Sequence, residues 1–308
     1  MLDIIILTKT STIEHKAMVE RCILSYLQDG DEFVNSIILM ESDKNTDVNY
    51  WQTISKKIKC VVPPYRFNYN LFLNIALEHC SAEYICISNN DVVTKPGCVK
   101  TMLAVFTKLP TLMSASPVDR TWHLNSYDIF PEDNKVYLGY QTSKFLLGFC
   151  IFARKQVYDT IGKFDERFHF YHQDNDYEYC LKRYKLQHAL VTFAHIQHGI
   201  DKPDTGESGV EVRSKLLNSQ KTFNDKWTSP LYTGQHVKYK RLSIITNTQT
   251  VPASDLVEVV DSEESARGRY MLTTDSVLNR EDQLYFLDLL CYYPDAITIN
   301  GHQITKRF

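Results

Sequence analysis

Three apolar runs that each end in a cluster of polar residues govern the first ninety positions. They are DIIILTKTS at 3–11, SIILMESD at 36–43, and YICIS at 84–88, which passes straight into Asn89-Asn90-Asp91. Such runs are too short and too β-branched for helices, and their lack of polar alternation marks strands buried on both faces. Cys60-Val61-Val62, closed by Pro63-Pro64, reads as a further short strand. Between them, 14–28 carries Met18, Cys22 and Leu27 at roughly helical spacing, and 68–80 reads as a helix with Asn68 or Asn70 as its cap. Strands alternating with helices predict an α/β fold, a Rossmann-like, mostly parallel sheet with helices on both faces. Ligands of such sheets sit outside the carboxyl ends of the strands. Thr8 to Thr10, Glu41 to Asp43 and Asn89 to Asp91 therefore mark where a site is expected.

The tail has a different character. From 200 to 250 clean periodicity is scarce, and Gly and Pro are scattered through 201–209 and near Pro230 and Gly234. LVEVVD (256–261), RYMLTTD (269–275), a helix near 280–292 that Asn279 would cap, and AITIN (296–300) then suggest a small α+β appendage. The predicted division is 1–240 and 241–308. At 44% hydrophobic and 23% charged residues the composition is that of a folded protein. A net charge of −3 supplies no whole-molecule attraction to nucleic acid or anionic membrane, though it leaves room for a local basic groove. No apolar run approaches the ~18–20 residues that span a bilayer. The start MLDIIILTKT lacks the basic region and cleavage site of a signal peptide, which predicts a cytoplasmic protein. The eight cysteines form no CxxC pair, which argues against zinc clusters and thioredoxin-type sites and for core thiols.

Three segments carry candidate chemistry. Asp91 ends a buried strand before a turn, Val92 to Gly97, that leads into a helix. A carboxylate there suits a hard divalent cation shared with a diphosphate, and equally a turn or helix cap. FLLGFCIFARK (145–155) reads as an apolar strand whose Gly148 signals a close backbone or ligand approach. GKFDERFHFYHQDND (162–176) is densely aromatic and acidic, and a helix continues from it. Asp174 and Asp176 thus fall at a helix start, where they serve either as caps or as carboxylates whose basicity partial burial tunes. His195 and His198 follow the apolar LVTFA (190–194), and His198 precedes Gly199 at a strand end, in position to complete a metal site with Asp91.

ICISNND with the following Pro96-Gly97, then GKFDERFHFYHQDND, then His198, stand in the order and approximate spacing of motifs in family-2-type glycosyltransferases of GT-A fold. The chain resembles that family over about residues 1–200. The resemblance implies a nucleotide-sugar donor, usually a uridine diphosphate sugar, and Mn²⁺ or Mg²⁺. By that likeness Asp91 and His198 are metal ligands, Asp174 is the general base of an inverting reaction, and Thr8, Glu41, Asp43, Asn89 and Asn90 lie near the donor. Two positions depart from the pattern. Asn89 stands where many members have the first Asp of D-x-D, and Gln173 stands where the base motif has Glu.

YRFNYNLFLNIAL (65–77), MSASPVDRTWH (113–123) and YHQDND (171–176) resemble more narrowly the glycosyltransferases of large tailed bacteriophages, some of which modify hydroxymethylated bases of phage DNA. Asn74 is a further donor-side candidate, and Trp122, His123, Gln173 and Asp176 are acceptor-side candidates. Arg120 and Lys238, Lys240 and Arg241 of VKYKR are then candidate phosphate contacts. A bacterial surface glycan is the rival acceptor, and a non-catalytic nucleotide- or glycan-binding module is the rival class. A nucleotidyltransferase would need a Gly-rich basic loop after the first strand, and Thr8 to Glu14 contains no Gly.

Overall fold

Alternate residues of the first strand, β1 (Leu2–Thr8), serve two different cores. Leu2, Ile4 and Ile6 pack in one apolar layer and Ile5 and Leu7 in the other. A strand covered on both sides has no polar face, which is why its sequence is unbroken. The computed structural model describes residues 1–126, 134–168, 170–199, 209–227, 242–245, 257–260, 262, 270–274, 298–299 and 302–306. The chain divides into two compact units, Met1–Gln220 and Lys221–Phe308.

In the first unit β1 is followed by α1 (Ile13–Gly30), β2 (Val34–Glu41), α2 (Val48–Ile54), β3 (Ile58–Val61), α3 (Tyr69–Glu78) and β4 (Tyr84–Ser88). The four strands are parallel in the order β3-β2-β1-β4. Next come β5 (Val92–Thr94), α4 (Cys98–Lys108), β6 (Leu112–Asp119), α5 (Arg120–Ser126), β7 (Val136–Leu138), β8 (Cys150–Arg154), α6 (Lys155–Ile161), α7 (Gln173–Arg183) and β9 (Gln187–His198). They extend the sheet as β4-β8-β6-β9-β5, with β7 also on β9. β8 runs antiparallel to both its neighbours, and β9 is parallel to β6 but antiparallel to β5 and β7. The expected α/β sheet is present, parallel in its first half and mixed in its second.

Val19, Cys22 and Tyr26 of α1 and Met102 and Phe106 of α4 cover one face. Phe72, Leu73 and Ala76 of α3, Val157 of α6 and Tyr177 and Leu181 of α7 cover the other. Asn68 caps α3, its side chain accepting from Leu71 N at 3.0 Å. Seven cysteines are free thiols, five of them buried, while Cys291 lies outside the described residues.

Three expectations change. Residues 145–149 precede β8 instead of belonging to it, because Leu147 N turns aside to Ser116 Oγ at 3.0 Å and Cys150 N to Leu147 O at 2.9 Å. Val92–Thr94 is a short strand, and only then does the chain turn, at Gly97 with φ of 85°. Within 200–250 a long helix, α8 (Gly209–Trp227), replaces the expected irregular stretch. Its apolar periodicity is hidden because Val210 and Leu217 face solvent, 79% and 59% exposed.

In the second unit β10 (Leu242–Ile245), β11 (Val257–Val260) and β12 (Tyr270–Thr273) are parallel in the order β11-β10-β12. β14 (His302–Lys306) extends that sheet by antiparallel pairing on β12, and β13 (Thr298–Ile299) pairs antiparallel on β14. The helix expected at 280–292 and the basic VKYKR segment lie outside the described residues. Among the described residues no helix is long and apolar enough to cross a membrane.

Candidate active site

The carboxyl ends of β1, β2 and β4 lie side by side, and their polar residues knit the loops together. Glu41 is fully buried. Its carboxylate accepts from Asp43 N at 2.7 Å, from Thr10 N at 3.2 Å and from the Thr10 hydroxyl at 2.5 Å, while Thr10 Oγ1 also lies 2.8 Å from Thr46 Oγ1. Glu41 thus joins the loop after β1 to the loop after β2. Asp43, half-buried, accepts from Asn45 N at 2.9 Å. Thr8, buried, accepts from Asn90 Nδ2 at 3.3 Å, which links the ends of β1 and β4.

One strand further, Asp91 is 3% exposed and its Oδ1 lies 3.3 Å from His198 Nε2. Residues 107 positions apart meet because β5 pairs Val92 with His198, and Gly199 N donates to Asp91 O at 3.2 Å. Asn89 Nδ2 lies 3.4 Å from the same imidazole nitrogen. The His198 ring is stacked on Phe149, centroids 4.0 Å apart and planes 3° from parallel. Asp91 and His198 fit a divalent cation. Carboxylate oxygen and imidazole nitrogen are hard-to-borderline donors, and neighbouring ligands of an octahedral ion with ~2.1 Å bonds stand ~3 Å apart, near the observed separation. No third His, Cys, Asp or Glu joins them among the described residues.

A cavity of about 390 Å³ opens beside this pair. Asn89, His198, Phe149, Gly148 and Trp122 line it, as do Tyr69, Phe170, Tyr171, Gln173 and Asp174. Asp174 sits in the first turn of α7. Desolvation in these aromatic surroundings pushes its carboxyl above the ordinary aspartate range, against the lowering effect of Asn175 N, which donates to Oδ1 at 3.0 Å. Gly148 is required by the close approach anticipated there, since a Cβ on it would stand 2.7 Å from Asp174 Oδ2 and 2.8 Å from Asp174 Cβ. Burial, and secondarily the Asp174 charge, raise the Tyr69 hydroxyl as well. Tyr171 and His172, just before α7, adopt left-handed backbone with φ of 71° and 61°. Consecutive non-glycine residues in that region concentrate strain of the kind found at ligand sites.

The structure brings Asn89, Asp91, His198, Asp174, Gln173 and Trp122 to the cavity or into contact with its lining. Asn74, His123 and Asp176 are not among the residues that line it. Asn74 is buried in α3 and clamps the segment before α7, accepting from Phe164 N at 2.8 Å and donating to Phe164 O at 3.0 Å and Glu166 Oε1 at 2.9 Å. His123 is fully buried, with its ring nitrogens 2.8 Å from Asp119 O and 3.0 Å from Lys144 O. Asp176 is 3% exposed and does not line the cavity. Sequence reasoning missed Phe149, Tyr69 and Asp119. Asp119, at the end of β6, is 3% exposed and accepts from both His198 N and Trp122 N. Its only sequence signal is an Asp ahead of a short helix, in the usual place of a cap.

No protein-family model and no curated protein matches the chain. Among solved structures, GalNAc-T7 with UDP, GalNAc and Mn²⁺ superposes with a TM-score of 0.57 at 11% identity, covering 75% of this chain and 49% of that one. The mannosyltransferase PcManGT from Pyrobaculum calidifontis, in complex with GDP-Man and Mn²⁺, gives 0.49 at 14% identity, covering 69% and 60%. S. aureus TarS 1–349 gives 0.48 at 11% identity, covering 77% and 76%. The first of these likenesses establishes the fold as a GT-A-type, Rossmann-like α/β sheet. The chain spans about half the length of that first structure.

Proposed function

We propose that this protein is a glycosyltransferase that moves a sugar, with inversion, from a nucleotide diphosphate to an acceptor hydroxyl, and that the donor is a UDP-sugar. One observation carries the reading: His198, in contact with buried Asp91, and Asp174, with its raised pKa, line the same cavity. Asp91 and His198 hold Mn²⁺ or Mg²⁺, and Asn89 and Asn90 offer amide donors to the donor's oxygens. When bound, the cation supplies positive charge against the negative charge that grows on the departing diphosphate. Asp174 accepts the proton of the attacking hydroxyl, and its burial makes it a stronger base than an ordinary aspartate. The sugar becomes oxocarbenium-like as the bond to the diphosphate breaks, and attack from the opposite face inverts it. Gln173, beside the base, orients the acceptor.

On this reading the acceptor stacks on Trp122, 40% exposed, and Tyr171. Rings of that kind hold an extruded base, and the likeness to phage enzymes is what points to the hydroxymethyl group of a modified base in phage DNA, with the enzyme in the host cytoplasm. Arg120, exposed beside Trp122, is its phosphate contact. A surface glycan would stack on the same rings. Incubation with a panel of nucleotide sugars and Mn²⁺, against unmodified and hydroxymethylated duplex DNA and a glycan, is the test, with products read by mass spectrometry. The expected result is consumption of UDP-sugar and a mass gain of one sugar per modified base. A gain on the glycan alone rejects the DNA acceptor. Absence of any metal-dependent donor turnover rejects catalysis and leaves a binding module.

A further inference from the structure

The β6–β9 ladder is irregular just where it reaches the site. Pro117 pairs with Val191 and Val118 with His195, so residues 192–194 of β9 have no partner in β6. An interruption of this kind bends a strand and re-aims the side chains beyond it. The ladder resumes for two pairs and ends at Asp119 opposite Ile196, two residues short of His198. Main-chain pairing with β6 has therefore stopped before the candidate metal ligand is reached. A carboxylate takes its place. Asp119 Oδ2 accepts from His198 N at 2.8 Å, and Asp119 Oδ1 accepts from Trp122 N at 2.9 Å.

A helix cap needs one oxygen, and Ser, Thr or Asn would serve α5 as well. The second oxygen of Asp119 reaches a residue 79 positions later in the chain. Its two partners, His198 and Trp122, both line the cavity. Trp122 goes on to fix the opposing loop, its indole Nε1 donating to Ser143 O at 2.8 Å, and its ring meets Phe149 edge-on at 6.3 Å. Phe149 in turn stacks on the His198 ring. His198 is thus held from two sides, its backbone by Asp119 and its ring by Phe149, and Trp122 contacts both of these residues.

We infer that Asp119 is a positioning residue that sets His198 toward its cation and ties that setting to Trp122 in the acceptor wall. The inference rests on the proposed metal role of His198. Groups that orient a metal ligand without touching the ion typically contribute 10–100-fold to affinity or activity. Asp119→Asn keeps the shape of the side chain but turns an NH₂ toward one of two N–H donors. The measurement is the dissociation constant for Mn²⁺ in the full-length protein, from the electron paramagnetic resonance of free Mn²⁺, without donor or acceptor. Asp119→Asn is expected to weaken binding ~10–100-fold. Asp119→Ser keeps an oxygen for Trp122 N, so α5 stays capped and the protein folded, and is expected to show the same loss. In a His198→Ala background Asp119→Asn should cause no further loss, because it acts through His198. A simple destabilisation would weaken both backgrounds alike, and such additivity overturns the inference. Wild-type Mn²⁺ affinity in both Asp119 variants, with weakened binding in His198→Ala, also overturns it while sparing the metal site. Unchanged affinity in His198→Ala sinks the metal reading itself.

Discussion

Asp174 is packed against the backbone at Gly148, and both halves of that contact can be tested. Asp174→Asn removes the proposed base without changing shape, so turnover should fall by ~10²–10⁴ while donor affinity, from equilibrium binding, stays within about twofold. Because desolvation raises the Asp174 pKa, the acid limb of kcat against pH should lie above the ordinary aspartate value of about 3.9, with activity lost as the pH falls and the carboxylate protonates. That limb should vanish in Asp174→Asn. Gly148→Ala would place a methyl 2.7 Å from Asp174 Oδ2 and displace the carboxylate. A displacement near 1 Å costs ~10² in rate, so kcat should fall by about that factor with KM for the donor unchanged. Both residues were legible in the sequence, Gly148 as an out-of-place glycine in an apolar run and Asp174 as an acid at a helix start. Asp119 and Phe149 were not. Their roles depend on where a ladder breaks and which rings then meet, and one strand read alone contains neither.

At the scale of elements, Asn74 works on the segment leading to α7. Three asparagines of α3 or its cap face the segment leading to α7. Asn68 donates to Glu166 O and Asn70 to Asp165 O, both at 2.7 Å, while Asn74 holds both backbone groups of Phe164. Replacing Asn74 by Ala strands a buried N–H and a buried carbonyl. The expected loss is ~1–3 kcal/mol per stranded group, read as a lower midpoint in urea. In the parallel half of the sheet β1, β2 and β4 were legible because each contains a continuous apolar run. β8 was placed too early, since Leu146 and Leu147 are as apolar as a strand but are buried in a turn. Apolar character reports burial, and it does not by itself separate a strand from a buried turn.

For the whole molecule, buried ionisable groups set the response to acid. His188 is almost fully buried between Ser114 Oγ and Phe145 O, and desolvation lowers its pKa to about 4. An unfolded chain takes up that proton near pH 6.5, so the His188 contribution to stability should be flat above about 6.5 and fall toward pH 4, by on the order of 3 kcal/mol. His188→Gln should flatten the decline in urea melts taken across that range. Asp3 acts lower. Burial alone would raise its pKa, but hydrogen bonds from Ser36, Ala82, Asn35 and Ser81 outweigh that and lower it. Its contribution is complete above about pH 3.9 and disappears as the pH falls through its depressed value. The proposed cation would add to stability separately. Mn²⁺ at 100 times its dissociation constant should stabilise the fold by about 2.7 kcal/mol, and His198→Ala should abolish the accompanying rise in Tm.

Gly148 abuts Asp174, and its immediate neighbour in the chain, Phe149, is layered on His198. One peptide unit, about 3.8 Å from Cα to Cα, therefore acts as a ruler between the carboxylate and the imidazole. That step is covalent and does not stretch, so the two groups change separation only by shifting in their packing against Gly148 and Phe149. A single residue inserted between the two would lengthen it by nearly its own size, while the same insertion in an outer loop would leave the gauge untouched.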